Sequence, residues 1–336
     1  MHILYIGNKL SDSNRTVTSV ETLGTFLSKD GHDVRSASSF VNVYLRMVHM
    51  IVFVVYHCRW ADIVLIDTYS TRNFWYAVII GRLCVALNLP FVLILRGGNL
   101  PHRIGKSAKA AKSVLNRSFM NICPSKYLFE ELSKIGVPNL KNIPNTIKLE
   151  GYNFKPRVQL KPRLLWVRSF ASIYNPKLAL LVMEDLKSEF PEVTICMVGP
   201  DKDGSLYDCQ DYAKMQGLTV HFTGKLEKEE WIRMAAGYDI FLNTTNFDNM
   251  PVSVSEAMAL GLPVVSTNVG GMPFLIEDGV DGILVLPGDT KAMAGAIKDL
   301  LADPEKARKM AARARKKVEG FDWKVVAGQW KELLGE

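Results

Sequence analysis

The sequence lacks a long hydrophobic run, paired cysteines, a histidine cluster and a glycine-rich dinucleotide loop, and each absence removes a class of function. The uninterrupted apolar run at residues 50–56, which no other run exceeds in length, falls far short of the ~20 residues needed to span a bilayer. The stretch around it, 40–58, is mostly apolar but carries Arg46, His49 and His57, and it reads as a buried helix in preference to an interfacial one. The five cysteines (Cys58, Cys84, Cys123, Cys196, Cys209) are odd in number, widely spaced and without a Cys-x-x-Cys pair. That argues against a disulfide framework or a zinc site and favours a reducing cytosol. The Asn-x-Ser/Thr triplets at Asn14, Asn116 and Asn243 are then chance matches. The six histidines show neither metal-ligand spacing nor a nucleophilic triad partner. Neither half opens with Gly-x-Gly-x-x-Gly, which disfavours a nicotinamide-dependent oxidoreductase. No basic-aromatic nucleic-acid module appears, so no nucleic-acid partner is expected. Residues 1–6 read as a first strand, not as a secretory leader.

What is present is a chain of 336 residues, 48% apolar, long enough for two well-packed domains. Short β runs alternate with longer helical patterns throughout, the pattern of parallel sheets covered by helices on both faces. Strands are expected at 2–6, 33–37, 62–66, 91–95 and 120–123, then at 163–167, 193–198, 218–222, 239–242, 263–267 and 282–286. The polar, proline-containing segment 151–162 reads as a linker. Charge divides unevenly: residues 1–160 hold 20 Lys and Arg against 9 Asp and Glu, a net of +11, whereas residues 161–336 hold 21 against 25, a net of −4. The run Arg103, Lys106, Lys109, Lys112, Arg117 contributes five positives at helical spacing, either as a solvated helix face or as a surface for an anionic partner or membrane.

The chemistry concentrates in Asn246-Phe247-Asp248-Asn249-Met250-Pro251-Val252-Ser253-Val254-Ser255-Glu256 and the helix that follows. An apolar strand runs into a polar turn, Pro251 suits an early helix position, and Gly261 stops the helix after Leu260. Unpaired backbone N–H groups at such a junction favour a phosphate or oxyanion. Asp248 and Glu256 bracket the turn, and carboxylates accept hydrogen bonds from vicinal hydroxyls. The pair therefore suits sugar hydroxyls on either side of a diphosphate. Glu256 alone could be a dipole-stabilising glutamate, and Asp248 alone a turn former.

Here the chain resembles the retaining glycosyltransferases of family 4 (group 1 glycosyl transferases), whose C-terminal domain carries a Glu-x7-Glu motif of this spacing. The first acid in this chain is Asp248. Met1-His2-Ile3-Leu4-Tyr5-Ile6-Gly7, Pro124-Ser125-Lys126-Tyr127-Leu128, Ile143-Pro144-Asn145, Leu164-Leu165-Trp166-Val167-Arg168, Val198-Gly199-Pro200, Phe222-Thr223-Gly224 and Ser266-Thr267-Asn268-Val269-Gly270-Gly271 fall in the family's order. The resemblance implies an α/β chain of the GT-B fold, two doubly wound Rossmann-like domains facing across a cleft. They would comprise an acceptor domain at 1–158 and a donor domain at 162–320, with the C-terminal helix, 321–336, packing back on the first. It implies that Asp248, Arg168 and Glu256 form the catalytic set, Glu256 on the ribose, Asp248 on the transferred sugar and Arg168 on the diphosphate. Lys177, Gly199, Thr223, Gly224, Asn249, Met250, Pro251 and Val252 complete the donor site. Gly7, Asn8, Lys9, Arg96, Gly97, Asn99 and His102 fall to the acceptor.

Three departures stand out. The family's phosphate lysine is displaced, Lys177 being the nearest candidate. The first βα loop has Asn14-Arg15 where relatives have adjacent glycines. Arg96 ends the fourth strand where relatives place a histidine. Asp201-Lys202-Asp203 resembles an Asp-x-Asp metal motif, but in a doubly wound domain it reads as a solvated loop, and no metal or other cofactor is expected. Gly270-Gly271 either approach the donor or form a tight turn, and Asn145 makes either a structural or a ligand contact. The expected activity is transfer of a sugar from a nucleoside-diphosphate donor, UDP favoured over GDP, to a lipid-linked or anionic saccharide. The setting would be cytoplasmic, peripheral on an anionic membrane. The alternatives are a catalytically weak nucleotide-sugar-binding protein and a nucleotide-sugar 2-epimerase on the same fold.

Overall fold

The computed structural model describes residues 1–9 and 18–335; Asn14-Arg15 and the triplet at Asn14 lie outside them. The chain divides into two compact units, Met1–Pro144 and Asn145–Glu336.

The first unit alternates β1 (His2–Ile6), α1 (Ser19–Lys29), β2 (Asp33–Ala37), α2 (Val43–His57), β3 (Ile63–Thr68), α3 (Phe74–Ala86) and β4 (Phe91–Leu95). It continues through α4 (Leu100–Lys106), α5 (Ala108–Leu115), β5 (Met120–Cys123), α6 (Lys126–Lys134) and β6 (Leu140–Asn142). All six strands pair in parallel in the order β2-β1-β3-β4-β5-β6. β3 and β4 are buried along their whole length, which explains why they read as continuous apolar runs and not as alternating ones. Each fully buried Leu, Ile or Val there contributes roughly 1.5–3 kcal/mol. β6 was not anticipated: its three residues, Leu-Lys-Asn, are half-buried at the sheet edge and carry no apolar run.

α2 corrects an expectation. It is not a buried helix, because only Arg46, Met50 and Val54 are buried. The helix lies against β1, β2 and α3, near the sheet edge, so the core takes up one stripe and leaves the rest uncovered. Arg46 turns inward to donate to the carbonyls of Phe40 (2.6 Å) and Val41 (2.9 Å) and to Asn8 Oδ1 (2.8 Å). The charge that interrupts the apolar run therefore closes the loop before the helix.

The second unit runs β7 (Arg163–Val167), α7 (Pro176–Lys187), β8 (Thr194–Val198), α8 (Ser205–Met215), β9 (Val220–Gly224), α9 (Lys228–Ala235) and β10 (Ile240–Asn243). After these come α10 (Val252–Ala259), β11 (Val264–Thr267), α11 (Met272–Leu275), β12 (Ile283–Val285), α12 (Thr290–Ala302), α13 (Pro304–Glu319) and α14 (Trp323–Leu334). Its parallel sheet is ordered β12-β11-β10-β7-β8-β9, the Rossmann order read from the far edge, with its reversal between β7 and β10. In the first unit the reversal falls between β1 and β3.

The segment read as a linker is built into the second unit. Arg157 is buried and donates to the carbonyls of Leu260 (2.7 Å), Ala235 (3.2 Å) and Tyr238 (3.2 Å), a cation beside the last carbonyls of α9 and α10. Burial pushes its pKa down to about 10.

Candidate functional site

Ligands of open parallel sheets bind outside the strand carboxyl ends, where strand order reverses. In the second unit that point lies between Arg168, which follows β7, and the turn 244–251, which follows β10. Two close approaches fix these segments. A Cβ on Gly199 would collide with the Arg168 carbonyl, and one on Gly271 with the Asn249 carbonyl, so only glycine lets the backbones meet. Gly271 N–H donates to the Asp248 carbonyl (2.9 Å). Gly270-Gly271 thus form the tight support of the Asp248 turn. Gly199 N–H donates to the Gly224 carbonyl (2.8 Å), which brings the end of β9, with Thr223, to the same side.

The turn 172–174 stitches the two segments together. Trp166 Nε1 donates to Thr244 Oγ1 (2.9 Å), which donates to the Tyr174 carbonyl (2.9 Å). Asn246 N–H donates to the Ile173 carbonyl (2.8 Å). Asp203 accepts from Ser172 N–H and Oγ (2.8 and 2.7 Å), while Asp201 accepts from Gly204 and Leu206 N–H at the start of α8. Both acids of the Asp-x-Asp sequence are therefore engaged as loop and helix clasps. These hydrogen bonds hold the Asp203 carboxyl well below its ordinary pKa.

Arg168 pairs with Asp248 through its Nη2 and Oδ2, and its guanidinium carbon sits 4.4 Å above the Tyr174 ring. Burial lowers the Arg168 pKa, opposed by the Tyr174 phenol, although arginine keeps its charge throughout the working pH range. Among the described residues its Nε is buried without a hydrogen-bond partner, as are Ser253 Oγ and Ser255 Oγ on α10. Buried polar atoms of this kind carry a desolvation cost of about 1–3 kcal/mol each. Pro251 proves to be the residue capping α10, not its first helical residue; the helix opens at Val252, and Gly261, with φ +75°, follows its end.

Glu256 is 6% exposed. Its Oε1 accepts from Tyr152 Oη (2.5 Å) and lies 2.8 Å from Lys228 Nζ, which also sits 5.4 Å from the Tyr152 ring centre. Burial, then the neighbouring carboxylate, raises the Tyr152 pKa far above its ordinary value, so the phenol stays a donor. Both contacts fall on Oε1. Neither partner was found from sequence. Tyr152 was one of two aromatics in an apparent linker, and Lys228 one of two lysines around an acidic helix start.

Residues 153–317 match the family profile described as glycosyl transferases group 1. They belong to that family. This glycosyltransferase region is 31% identical, over 150 residues, to the sulfoquinovosyl transferase of Arabidopsis thaliana, an alignment covering 44% of this chain and 28% of that protein. The chain spans less than half the length of the first curated relatives it matches. The full fold matches sucrose-phosphate synthase from Thermosynechococcus elongatus with a TM-score of 0.80 at 17% identity, over 99% of this chain and 98% of that one. It matches Anabaena HepE in complex with UDP-glucose with a TM-score of 0.80 at 19% identity, over 100% and 99% of the two chains. The fold is accordingly GT-B, as the resemblance implied.

Of the residues assigned to the donor, the second unit gathers Arg168, Gly199, Asp248, Asn249, Met250, Pro251 and Val252 around the β7–β10 reversal, with Thr223 and Gly224 tied in through Gly199. Lys177 points elsewhere: it is exposed on α7, its Nζ 5.0 Å from the Tyr212 ring. Asn145 is the first residue of this unit.

In the first unit, Gly7 packs on Asp67, and Gly97 on Ser70, with no space for a Cβ. Arg96 Nε pairs with Asp67 Oδ1 (2.6 Å) and its Nη2 donates to Tyr5 Oη (3.0 Å). Tyr69 Oη donates to Asp67 Oδ2 (3.0 Å). Burial alone would lower the Arg96 pKa, but Asp67, Tyr5 and Tyr69 outweigh it and hold it above its ordinary value. The arginine assigned to an acceptor is thus engaged in a buried polar knot at the β1–β3 reversal. Asn8 is held by Arg46, Lys9 N–H donates to the Ser38 carbonyl (3.1 Å), and Asn99 and His102 are exposed at α4. Asp67, Tyr5 and Tyr69 were missed, although an acid closing the all-apolar run Ile-Val-Leu-Ile was the signal to follow.

Proposed function

We propose that the chain transfers a sugar, with retention of configuration, from a nucleoside-diphosphate sugar to a hydroxyl of a lipid-linked or anionic saccharide. The observation that carries this is the Arg168–Asp248 pair set beside the start of α10 at the strand reversal, with Glu256 farther along the same helix. Arg168 and the first N–H groups of α10 neutralise the leaving diphosphate electrostatically, without a metal or another cofactor. Glu256, through Oε2, accepts the ribose hydroxyls, and Asp248 engages a hydroxyl of the transferred sugar. Asp248 is one methylene shorter than the family's glutamate, and donor choice follows from its shorter reach. The acceptor's proton passes to the leaving phosphate oxygen, so no protein nucleophile enters. UDP is the favoured nucleotide; the acceptor is taken up by the first unit, on the inner face of a cell membrane.

The test is incubation of the protein with UDP- and GDP-sugars in chelator, following donor hydrolysis and transfer to lipid-linked saccharides. Turnover with a UDP-sugar supports the proposal. Tight binding without turnover on any acceptor supports the nucleotide-sugar-binding alternative instead.

A further inference from the structure

The exposed side of α2 carries no charged residue. Tyr44 and Tyr56 are 82% and 80% exposed, Val48 and Val52 57% each, and Leu45 and Val55 56% and 48%. At about 100° per residue, these six side chains share an arc of roughly 120°, with a phenol near each end and only aliphatic groups between. Apolar stripes of this kind on a folded surface mark contact sites.

Its surroundings are basic. α2 packs against α3, α3 against α5, and α5 against α4. α3 shows Trp75 and Ile79 to solvent, followed by Arg82, while α4 and α5 expose Lys106, Lys109 and Lys112. Residues 34–129 contain twelve Lys and Arg but only two acids, Asp62 and Asp67. Asp67 is buried against Arg96, and Asp62 accepts from His2 N–H (2.7 Å).

We propose that α2 lies in the headgroup layer of an anionic phospholipid bilayer, its apolar stripe inserted and the α3–α5 cations against the lipid phosphates. At 15 residues the helix is about 22 Å long, short of the ~30 Å hydrocarbon core, so it lies in the plane of the membrane and does not cross it. Tyrosines at its ends and Trp75 beside it suit the wet boundary of a bilayer. A second copy of the chain is the poorer occupant, because a two-fold contact would set this basic field against itself. The inference extends the membrane association proposed above and is independent of the transfer reaction.

The test is co-sedimentation of the full chain, without donor, with vesicles of phosphatidylcholine alone or of an equal phosphatidylcholine–phosphatidylglycerol mixture. The chain is expected to pellet with the anionic vesicles and to stay in solution with the neutral ones. Val48→Glu with Val52→Glu should weaken that binding at least about tenfold, and Lys106→Gln, Lys109→Gln or Lys112→Gln about fivefold each. An unchanged thermal melt and unchanged UDP-sugar binding show that the variants are folded and keep the donor reading separate. Failure to pellet with anionic vesicles overturns the proposal, as does pelleting that the valine variants leave unaltered. A dimer by sedimentation velocity that the valine variants dissociate, with no vesicle binding, overturns it in favour of a second copy.

Discussion

The two strand reversals of this molecule hold similar ingredients in opposite states. At the β1–β3 reversal an arginine and an aspartate are locked with two tyrosines, and each charge is matched inside the protein. At the β7–β10 reversal Arg168 and Asp248 also pair, but Arg168 Nε, Ser253 Oγ and Ser255 Oγ are buried without partners among the described residues, beside the opening of α10. The first arrangement stabilises the fold and fixes the ends of β1, β3 and β4. The second carries an unfavourable desolvation that the proposed diphosphate would relieve. Fold position alone does not separate a ligand site from a structural knot; the satisfaction of its polar atoms does.

Substitutions at the two reversals put this contrast to the test. Arg168→Ala should give the largest effect, lowering transfer by about 10²–10³-fold as expected for loss of a preorganised charge stabiliser, while stability measured by urea unfolding changes little. Arg96→Ala should reverse the pattern: it strands the buried Asp67, and unfolding free energy should fall by about 3–5 kcal/mol, with donor affinity in the folded protein unchanged. A large stability loss for Arg168→Ala and none for Arg96→Ala would invert the assignment. Asp248→Ala should alter transfer or sugar preference more than nucleotide affinity, read as a kcat effect against a KM effect. Tyr152→Phe removes the hydrogen bond that orients Glu256 and should weaken UDP binding by roughly fivefold, about 1 kcal/mol.

The smallest expected effect is on pH dependence. Tyr152 is held neutral in the folded state, with a pKa raised from 10.0. Its contribution to stability is therefore complete below pH 10 and is lost as pH rises from there toward the folded value, where the unfolded chain ionises first. Alkaline thermal melts of Tyr152→Phe should lose stability less steeply above that pH than those of the parent.

Much of this was legible in the residues. Apolar runs bounded by turns located β1, β4, β5 and β7 to the residue, since strands buried on both faces announce themselves by composition. The Asp248–Glu256 spacing, with Pro251 before the helix and Gly261 after it, marked the loop-to-helix junction that the fold places at the strand reversal. What escaped depended on contacts distant in sequence. Tyr152 reaches Glu256 across 104 positions, and Arg96 meets Asp67 across 29, and no local pattern encodes either meeting. Lys177 failed to join Arg168 because α7 turns it toward Tyr212. For α2 the apolar count was right and the inference of burial was not, because count does not say which neighbours cover a helix.

The most direct test of the central claim is calorimetric titration of UDP and UDP-sugars into the intact chain and its Glu256→Ala and Arg96→Ala variants. Glu256→Ala is expected to weaken nucleotide binding by at least about tenfold, the scale of two lost hydrogen bonds to a charged acceptor, while Arg96→Ala, where folded, binds as the parent does. Equal affinity of the parent and Glu256→Ala, or loss of binding in folded Arg96→Ala alone, would contradict it.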